Sequence, residues 1–160
     1  MEEWLEGEVV KNVKWTKNLA SLKIKAKINN HQAGQFTRIG LKVNDDFITR
    51  SYSYASAPKD EILEIIYVNI PNGKLSPILH NLEIGDKVSV MQQAIGYFTL
   101  DEIPDGENLW MLATGTALGV FLAILKTTPP WKRFKKVILI HSVRYAEELI
   151  YQDQRTHLHI

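Results

Sequence analysis

Residues 50–54 combine a guanidinium group, aromatic rings and hydroxyls in a pattern typical of a β-strand. On a strand, Arg50 and Tyr52 project from one face, and Ser51 and Ser53 project from the other. An arginine presents a planar set of donors that suits a pyrophosphate, and a tyrosine ring can lie against a flat heterocycle. The segment therefore predicts a flavin-binding strand. A half-buried structural strand with an exposed arginine fits the same pattern.

A second motif, Gly73-Lys74-Leu75-Ser76, precedes a segment with helical spacing. Backbone N–H groups at the start of a helix, a lysine and a serine hydroxyl can together bind a phosphate. The structural alternative is an ordinary turn, with Gly73 at positive φ and Ser76-Pro77 starting the helix. Taken together with Arg50, the motif predicts a clamp on the pyrophosphate of FAD or FMN.

A third motif, residues 114–119, lies between a short apolar run and an apolar helix, and a second apolar run follows at residues 137–141. This order predicts one βαβ unit, the beginning of a parallel nucleotide-binding sheet. Gly115 would let the backbone approach a ligand closely. Arg144 follows the second run, where the carboxyl end of a parallel strand can meet a phosphate. A plain βα turn and an exposed arginine without a role are the structural alternatives.

The first hundred residues must supply the scaffold, and their pattern is that of antiparallel β structure. Apolar residues alternate with lysines over residues 22–28, which predicts a strand with one buried face. The nearly continuous apolar run at residues 62–70 predicts a central strand, and residues 75–82 predict one short helix. Strands at this spacing favour a closed barrel over residues 1–100. The composition changes near Asp101, so we expect a partial α/β domain over residues 101–160.

Composition excludes several classes of site. The 160 residues carry a formal net charge of +1, so no attraction to nucleic acid or to an anionic membrane is expected. The absence of cysteine excludes disulfides, thiolate metal sites and a catalytic thiol. The five histidines show no metal-binding spacing, so no metal is expected. The acidic N-terminus and the short apolar runs predict neither a signal peptide nor a membrane span, so a cytoplasmic protein is expected. The apolar pattern ends after Ile150, and we interpret the chain as a shortened form of a longer protein.

These motifs together resemble the ferredoxin–NADP reductase family, specifically its bacterial FAD-containing subclass. The resemblance extends from about Trp4 to about Ile150 and implies a mainly β fold, a six-stranded antiparallel Greek-key barrel followed by an incomplete α/β Rossmann-like domain. Val120 stands where the family often has a proline. The motifs that carry the resemblance are Gly34-Gln35-Phe36, Arg50-Ser51-Tyr52-Ser53, Gly73-Lys74-Leu75-Ser76-Pro77, Tyr97-Phe98 after Gly96, and Ala113-Thr114-Gly115-Thr116-Ala117.

The resemblance also implies roles for individual residues. Arg50 and Ser76 would hold the FAD pyrophosphate, with backbone contacts from Lys74 and Leu75. Tyr52 would stack on the flavin, and Ser53 would lie near the atom through which hydride passes; these two are the catalytic candidates. The remaining implied contacts are Ser51, Ile66, Tyr67, Val68 and Thr116 for FAD, and Val143 and Arg144 for NADP.

The function that the resemblance implies is FAD-dependent electron transfer between NADPH and ferredoxin or flavodoxin. Members of the family continue for a further half-domain that carries most of the adenosine 2′-phosphate site, so we expect a weakened NADPH half in this chain. Two alternatives remain open. One is a non-catalytic flavin-binding or structural fragment that forms homo-oligomers through the strands at residues 109–113 and 137–141. The other is a reductase that uses free flavin as a substrate.

Overall fold

The computed structural model describes residues 3–152, which form a curled antiparallel sheet followed by a small parallel β-α-β unit. The first part contains five strands, a short helix and a sixth strand. The second part contains two strands and two helices. The elements are β1 (Trp4–Lys14), β2 (Leu19–Lys25), β3 (Phe36–Val43), β4 (Asp46–Ser53), β5 (Ile62–Val68), α1 (Ser76–Asn81), β6 (Lys87–Met91), β7 (Asn108–Thr114), α2 (Leu118–Leu125), α3 (Pro129–Arg133) and β8 (Lys136–Ser142).

The six-stranded sheet has the order β4-β3-β6-β1-β2-β5, and each neighbouring pair is antiparallel. Its curl brings the two edge strands together, where a single bridge joins Tyr54, which follows β4, to Ile65 of β5. The predicted six-stranded antiparallel architecture is therefore confirmed. The expected closed barrel is only partly formed: its edge strands meet at this one bridge, and the described residues contain no hydrogen-bonded ladder between β4 and β5.

Three details of the sheet differ from the sequence-based expectation. The strand expected at residues 22–28 is β2, which begins and ends three residues earlier, at Leu19 and Lys25. The first strand, β1, was not recognised, because glutamates and lysines interrupt its apolar residues. The expectation of a central strand at residues 62–70 was wrong, because β5 is the last strand in the sheet order. Its continuous apolar run has another cause: Tyr67 faces the interior of the barrel, while Ile66 packs against the second unit, so both faces are buried.

The second unit contains β7 and β8 in parallel register, from Asn108 beside Lys136 to Thr114 beside Ser142. All eight residues of α2 are buried, because the helix lies between β7 and the outer face of the barrel. A Cβ atom added at Gly119 would lie 3.3 Å from the Cβ of Ala55, so glycine permits this close contact. The expected incomplete Rossmann-like unit is confirmed. No helix within residues 3–152 is long and apolar enough to cross a membrane.

A buried polar cluster joins the end of the second unit to the barrel. The Tyr151 hydroxyl donates a hydrogen bond of 2.6 Å to Oε1 of Glu64, a β5 residue that is only 5% exposed. The Nζ atoms of Lys23 and Lys126 lie 3.8 and 3.9 Å from the same carboxylate. The Tyr151 ring also packs on Trp15, with ring centroids 4.8 Å apart. The Glu64 carboxylate thus connects β5 to β2, to Lys126 after α2 and to Tyr151 near the end of the described residues.

Burial raises the pKa of Tyr151, and the neighbouring Glu64 carboxylate raises it further. An unfolded tyrosine ionises near pH 10, while the native hydroxyl stays protonated, so unfolding releases a proton at higher pH. The stability that Tyr151 contributes is therefore complete below pH 10 and is lost as the pH rises. We expect Tyr151→Phe to reduce the alkaline fall in unfolding free energy by an amount that grows above pH 9 and approaches about 1.4 kcal/mol per pH unit near pH 11.

Urea unfolding between pH 8 and pH 11 measures this slope. Tyr97→Phe is the matched control, because the Tyr97 ring is 84% exposed and its replacement should leave the slope unchanged. Equal slopes for wild type and Tyr151→Phe would contradict the prediction.

Candidate functional site

A cleft of about 620 Å³ lies where β4 and β5 diverge beyond the bridge between Tyr54 and Ile65. Each strand pairs on its other side, β4 with β3 and β5 with β2, so the two facing edges keep backbone groups directed toward the gap. The residues that line the cleft are Arg50, Ser51, Tyr52, Ser53, Ile66, Tyr67, Val68, Ile70, Gly73, Lys74, Leu75, Ser76, Thr114, Thr116 and Ala117.

Two tyrosines form the aromatic wall of the cleft. The rings of Tyr52 and Tyr67 meet edge to face, with centroids 6.4 Å apart and planes at 78°. Tyr67 is only 2% exposed, and its hydroxyl donates to Oδ1 of Asn12 at 3.2 Å. Burial raises the pKa of Tyr67 to about 12 and also raises the pKa of Tyr52. Both rings are therefore neutral at physiological pH. The half-buried Tyr52 ring suits a flat aromatic ligand, and the buried Tyr67 ring supports it from behind.

Two cationic side chains reach the cleft from different elements. Arg50 is an exposed residue of β4, and its Nη1 donates to the backbone carbonyl of Thr49 at 2.7 Å. This bond orients the guanidinium and leaves other N–H donors of the fork for a ligand. Lys74 is exposed in the loop before α1. The pair gives the cleft positive charge, which favours an anionic ligand.

The loop that carries Lys74 is held by a short internal network. Ser76 is buried, and its Oγ accepts a hydrogen bond of 3.0 Å from the backbone N–H of Ile70. The Gly73 N–H donates to the Ile70 carbonyl at 2.7 Å. A Cβ atom added at Gly73 would lie 3.0 Å from both that carbonyl and the Ser76 hydroxyl, which explains the glycine. Ser76 therefore closes this loop, and its hydroxyl proton can still be donated to a ligand.

The cleft also exposes apolar side chains that a ligand could cover. Val68, the last residue of β5, is 46% exposed, and Ile70, two residues after it, is 57% exposed. Apolar surface beside two cations and two aromatic rings suits a ligand with a flat ring at one end and phosphate at the other. The donor set and the open strand edges thus fit a flavin dinucleotide.

The second unit contributes one side of the cleft. Thr114 ends β7, and a 3-10 turn over residues 115–117 leads into α2. Gly115 has φ of +52°, a left-handed conformation that glycine adopts without strain. His141 Nε2 donates to the Gly115 carbonyl at 3.0 Å and fixes this turn to β8. Thr116 is therefore presented to the cleft at the carboxyl end of the parallel strands.

The structure brings all eleven residues predicted to contact FAD into this one cleft. It does not bring Val143 and Arg144 there: they follow β8 at the same sheet edge as Thr114 but do not line the cleft. The backbone N–H of Arg144 donates to Oε2 of Glu148 at 3.1 Å, which shapes that loop. The roles assigned to these thirteen residues remain predictions.

Four lining residues were not predicted to be contacts: Ile70, Gly73, Thr114 and Ala117. Gly73, Thr114 and Ala117 lie inside the motifs at residues 73–76 and 114–119, so their neighbours in the sequence could have identified them. Ile70 had no such signal, because its exposure depends on where β5 ends.

Comparison with known proteins places the fold in context. A family model described as the oxidoreductase FAD-binding domain matches residues 6–98, which include the whole six-stranded sheet except the first residues of β1. Over 151 residues the chain is 46% identical to the flavodoxin/ferredoxin–NADP reductase of Escherichia coli (strain K12). The match covers 94% of this chain and 61% of that protein. It is 40% identical over 159 residues to the protein of that name from Buchnera aphidicola subsp. Baizongia pistaciae, covering 99% and 64%.

Among solved structures, a ferredoxin NADP+ reductase from Neisseria gonorrhoeae with bound FAD and NADP superimposes with a TM-score of 0.91 at 33% identity. That match covers 98% of this chain and 64% of the other, so the chain spans about three fifths of the length of these relatives. These comparisons confirm the resemblance to ferredoxin–NADP reductases. Since the family model matches more than half of its residues, the chain belongs to the oxidoreductase FAD-binding domain family.

Proposed function

We propose that this chain binds FAD in the β4–β5 cleft and is a flavoprotein oxidoreductase that transfers electrons between NADPH and ferredoxin or flavodoxin. The observation that carries the proposal is the meeting of the arginine motif, the Gly73–Ser76 loop and the Thr114–Ala117 turn in one cleft. The names of the relatives, flavodoxin/ferredoxin–NADP reductase and ferredoxin NADP+ reductase, support it.

The phosphate end of the ligand would be bound by charge and by backbone donors. Arg50 would form a forked contact with the pyrophosphate, because its guanidinium is exposed and already oriented by the Thr49 carbonyl. Lys74 would add a second cation from the loop before α1. The Ser76 hydroxyl would donate its proton to a phosphate oxygen while it accepts from Ile70.

The ring end would be bound by the aromatic wall. Tyr52 would lie against one face of the isoalloxazine, and Ser53 would place its hydroxyl near the reactive edge. The open backbone edge of residues 66–68 would hydrogen-bond the ring, and Val68 would cover it from water. When bound, FAD accepts a hydride and passes electrons on singly, which matches NADPH to a one-electron protein acceptor.

NADPH would approach from the second unit. The carboxyl ends of β7 and β8 lie at one edge, the place where open α/β sheets bind nucleotides. Thr116 would contact the flavin from this side, and Val143 and Arg144 would face the NADPH, with the guanidinium toward a phosphate. The proposal accordingly divides the chain into an FAD-binding part, residues 1–100, and an NADP-binding part, residues 101–160, in a cytoplasmic protein.

Replacing Arg50 tests the phosphate contact. We expect Arg50→Ala to raise the Kd for FAD by about tenfold to a hundredfold, because hydrogen bonds to a charged group contribute about 1.5–3 kcal/mol. Quenching of flavin fluorescence during titration of apoprotein measures the Kd. Lys42→Ala removes an exposed cation from β3 that does not line the cleft, and it should leave the Kd unchanged. Equal losses in both variants would point to net charge and contradict the proposed contact.

Replacing Arg144 tests the nucleotide side. The FAD-loaded protein should oxidise NADPH with ferricyanide as acceptor, and Arg144→Ala should raise the KM for NADPH by about tenfold while changing that for NADH little, because only NADPH carries the additional phosphate. Steady-state kinetics with both nucleotides measure the difference. A yellow protein without NADPH turnover would remove the enzymatic part of the proposal and leave FAD binding in place.

A specific surface favours the second candidate, a flavin-binding fragment that assembles with copies of itself. Trp110 and Leu112 of β7 are 60% and 67% exposed, and Ile140, beside Leu112 in the register, is 47% exposed. They share the face of the parallel sheet that α2 does not cover. Parallel sheets are ordinarily covered on both faces, so this apolar face favours a second copy as its cover.

Sedimentation velocity tests this assembly. If the β7–β8 face joins two copies, the wild type should form a dimer at micromolar concentration, and Leu112→Lys should shift it to monomer because the lysine charge would be buried. Lys136→Glu, at the polar start of β8, is the control for a general effect of charge. A strict monomer at high concentration would contradict the second candidate.

A further inference from the structure

One side chain outside the β4–β5 cleft connects two of its walls. Asn12 of β1 does not line the cleft, yet its Nδ2 donates to the backbone carbonyls of Leu79 and Leu82 at 2.9 and 3.0 Å. Its Oδ1 accepts the hydroxyl of Tyr67 at 3.2 Å. The amide therefore bonds the end of α1 on one side and the aromatic wall on the other.

The orientation of this amide follows from its partners. Carbonyl oxygens only accept hydrogen bonds, so the nitrogen of Asn12 must face Leu79 and Leu82. The oxygen must then face Tyr67, and the phenol must donate. The Tyr67 proton is thus committed to Asn12, and the buried Tyr67 ring supports Tyr52 from the barrel interior.

The helix that Asn12 holds needs outside partners. With six residues, α1 is too short to be stable by itself, and its last carbonyls have no partners within the helix. Leu75 and Leu79 are almost fully buried in the barrel core, which fixes the inner face of the helix. At its carboxyl end, the backbone N–H of Leu82 donates to the Leu79 carbonyl at 3.3 Å, and Asn12 supplies the side-chain donors. Asn12 thus helps to fix the position of the residues at the other end of the helix, Lys74 to Ser76.

Tyr67 is the second element that Asn12 holds. Its ring lies between those of Tyr52 and His80, at 6.4 Å from each and edge to face with both. His80 belongs to α1, so the ring contacts join β4, β5 and α1, while the hydrogen bonds join β1, β5 and α1. A shift at Asn12 would therefore reach Tyr52 and the Lys74–Ser76 loop together.

We propose that Asn12 is a positioning residue for the ligand cleft, which fixes the aromatic wall relative to the phosphate-binding loop. The inference rests on the proposed binding of FAD. Asn12 acts through Tyr67 and α1 and makes no contact with the ligand itself.

Asn12→Asp tests the proposal, because a carboxylate can accept from Tyr67 but cannot donate to Leu79 and Leu82. We expect the Kd for FAD to rise about tenfold, from the loss of two hydrogen bonds that order the loop. We also expect the visible circular dichroism of the bound flavin to change at saturation. Asn108→Asp makes the same exchange at an exposed residue at the start of β7, away from the cleft, and should change neither quantity. If Asn12→Asp does not fold, Asn12→Ser, which keeps one donor, should show the same changes with smaller size.

The outcomes separate the two claims. A lower melting temperature with unchanged Kd and unchanged flavin dichroism would overturn the positioning role and leave FAD binding intact. If the wild type fails to bind FAD, the proposed function falls, and hydrogen exchange of the apoprotein then decides the inference. Amide exchange at residues 74–79 at least tenfold faster in Asn12→Asp than in Asn108→Asp would support it, and equal exchange would overturn it.

Discussion

The cleft exists because two strands that could pair along their length meet at a single bridge. Pairing of β4 with β5 beyond Tyr54 and Ile65 would complete the barrel and fill the place where a ligand can lie. Open edges carry unsatisfied N–H and C=O groups, which need water or a ligand. The loop before α1 and the turn before α2 both approach this opening, so the rest of the site is arranged around one interruption in a hydrogen-bond ladder.

The strand β5 lies at this opening and belongs to two cores at once. Ile66 packs with α2 and β7, while Tyr67 packs inside the barrel, and Glu64 pairs with Tyr151 from the last described turn. The edge of the same strand lines the cleft. Because its side chains are constrained on both faces, β5 gives the site a rigid side, while the cations come from exposed side chains, Arg50 and Lys74.

Local chemistry explains which features could be predicted from the sequence. Residues 50–53 and 73–76 are contiguous motifs, so they can be recognised in the sequence at short range, and the cleft contains all of them. Asn12 could not be found that way, since its partners lie 55 to 70 residues away and its role is created only by folding. The position of β5 was misjudged for a related reason: a continuous apolar run reports burial on both faces and does not say whether another strand or a helix covers them.

The helix α2 has a consequence for how the chain is made. All eight of its residues are apolar and buried, so it has no face that tolerates water. During synthesis the six-stranded sheet leaves the ribosome before α2. The apolar patch at Ala55 and Ile66 on its outer face is therefore exposed to solvent until α2 has been made and covers it. Until then the nascent protein exposes apolar surface through which it can aggregate, so we expect a chaperone to be most useful in this interval.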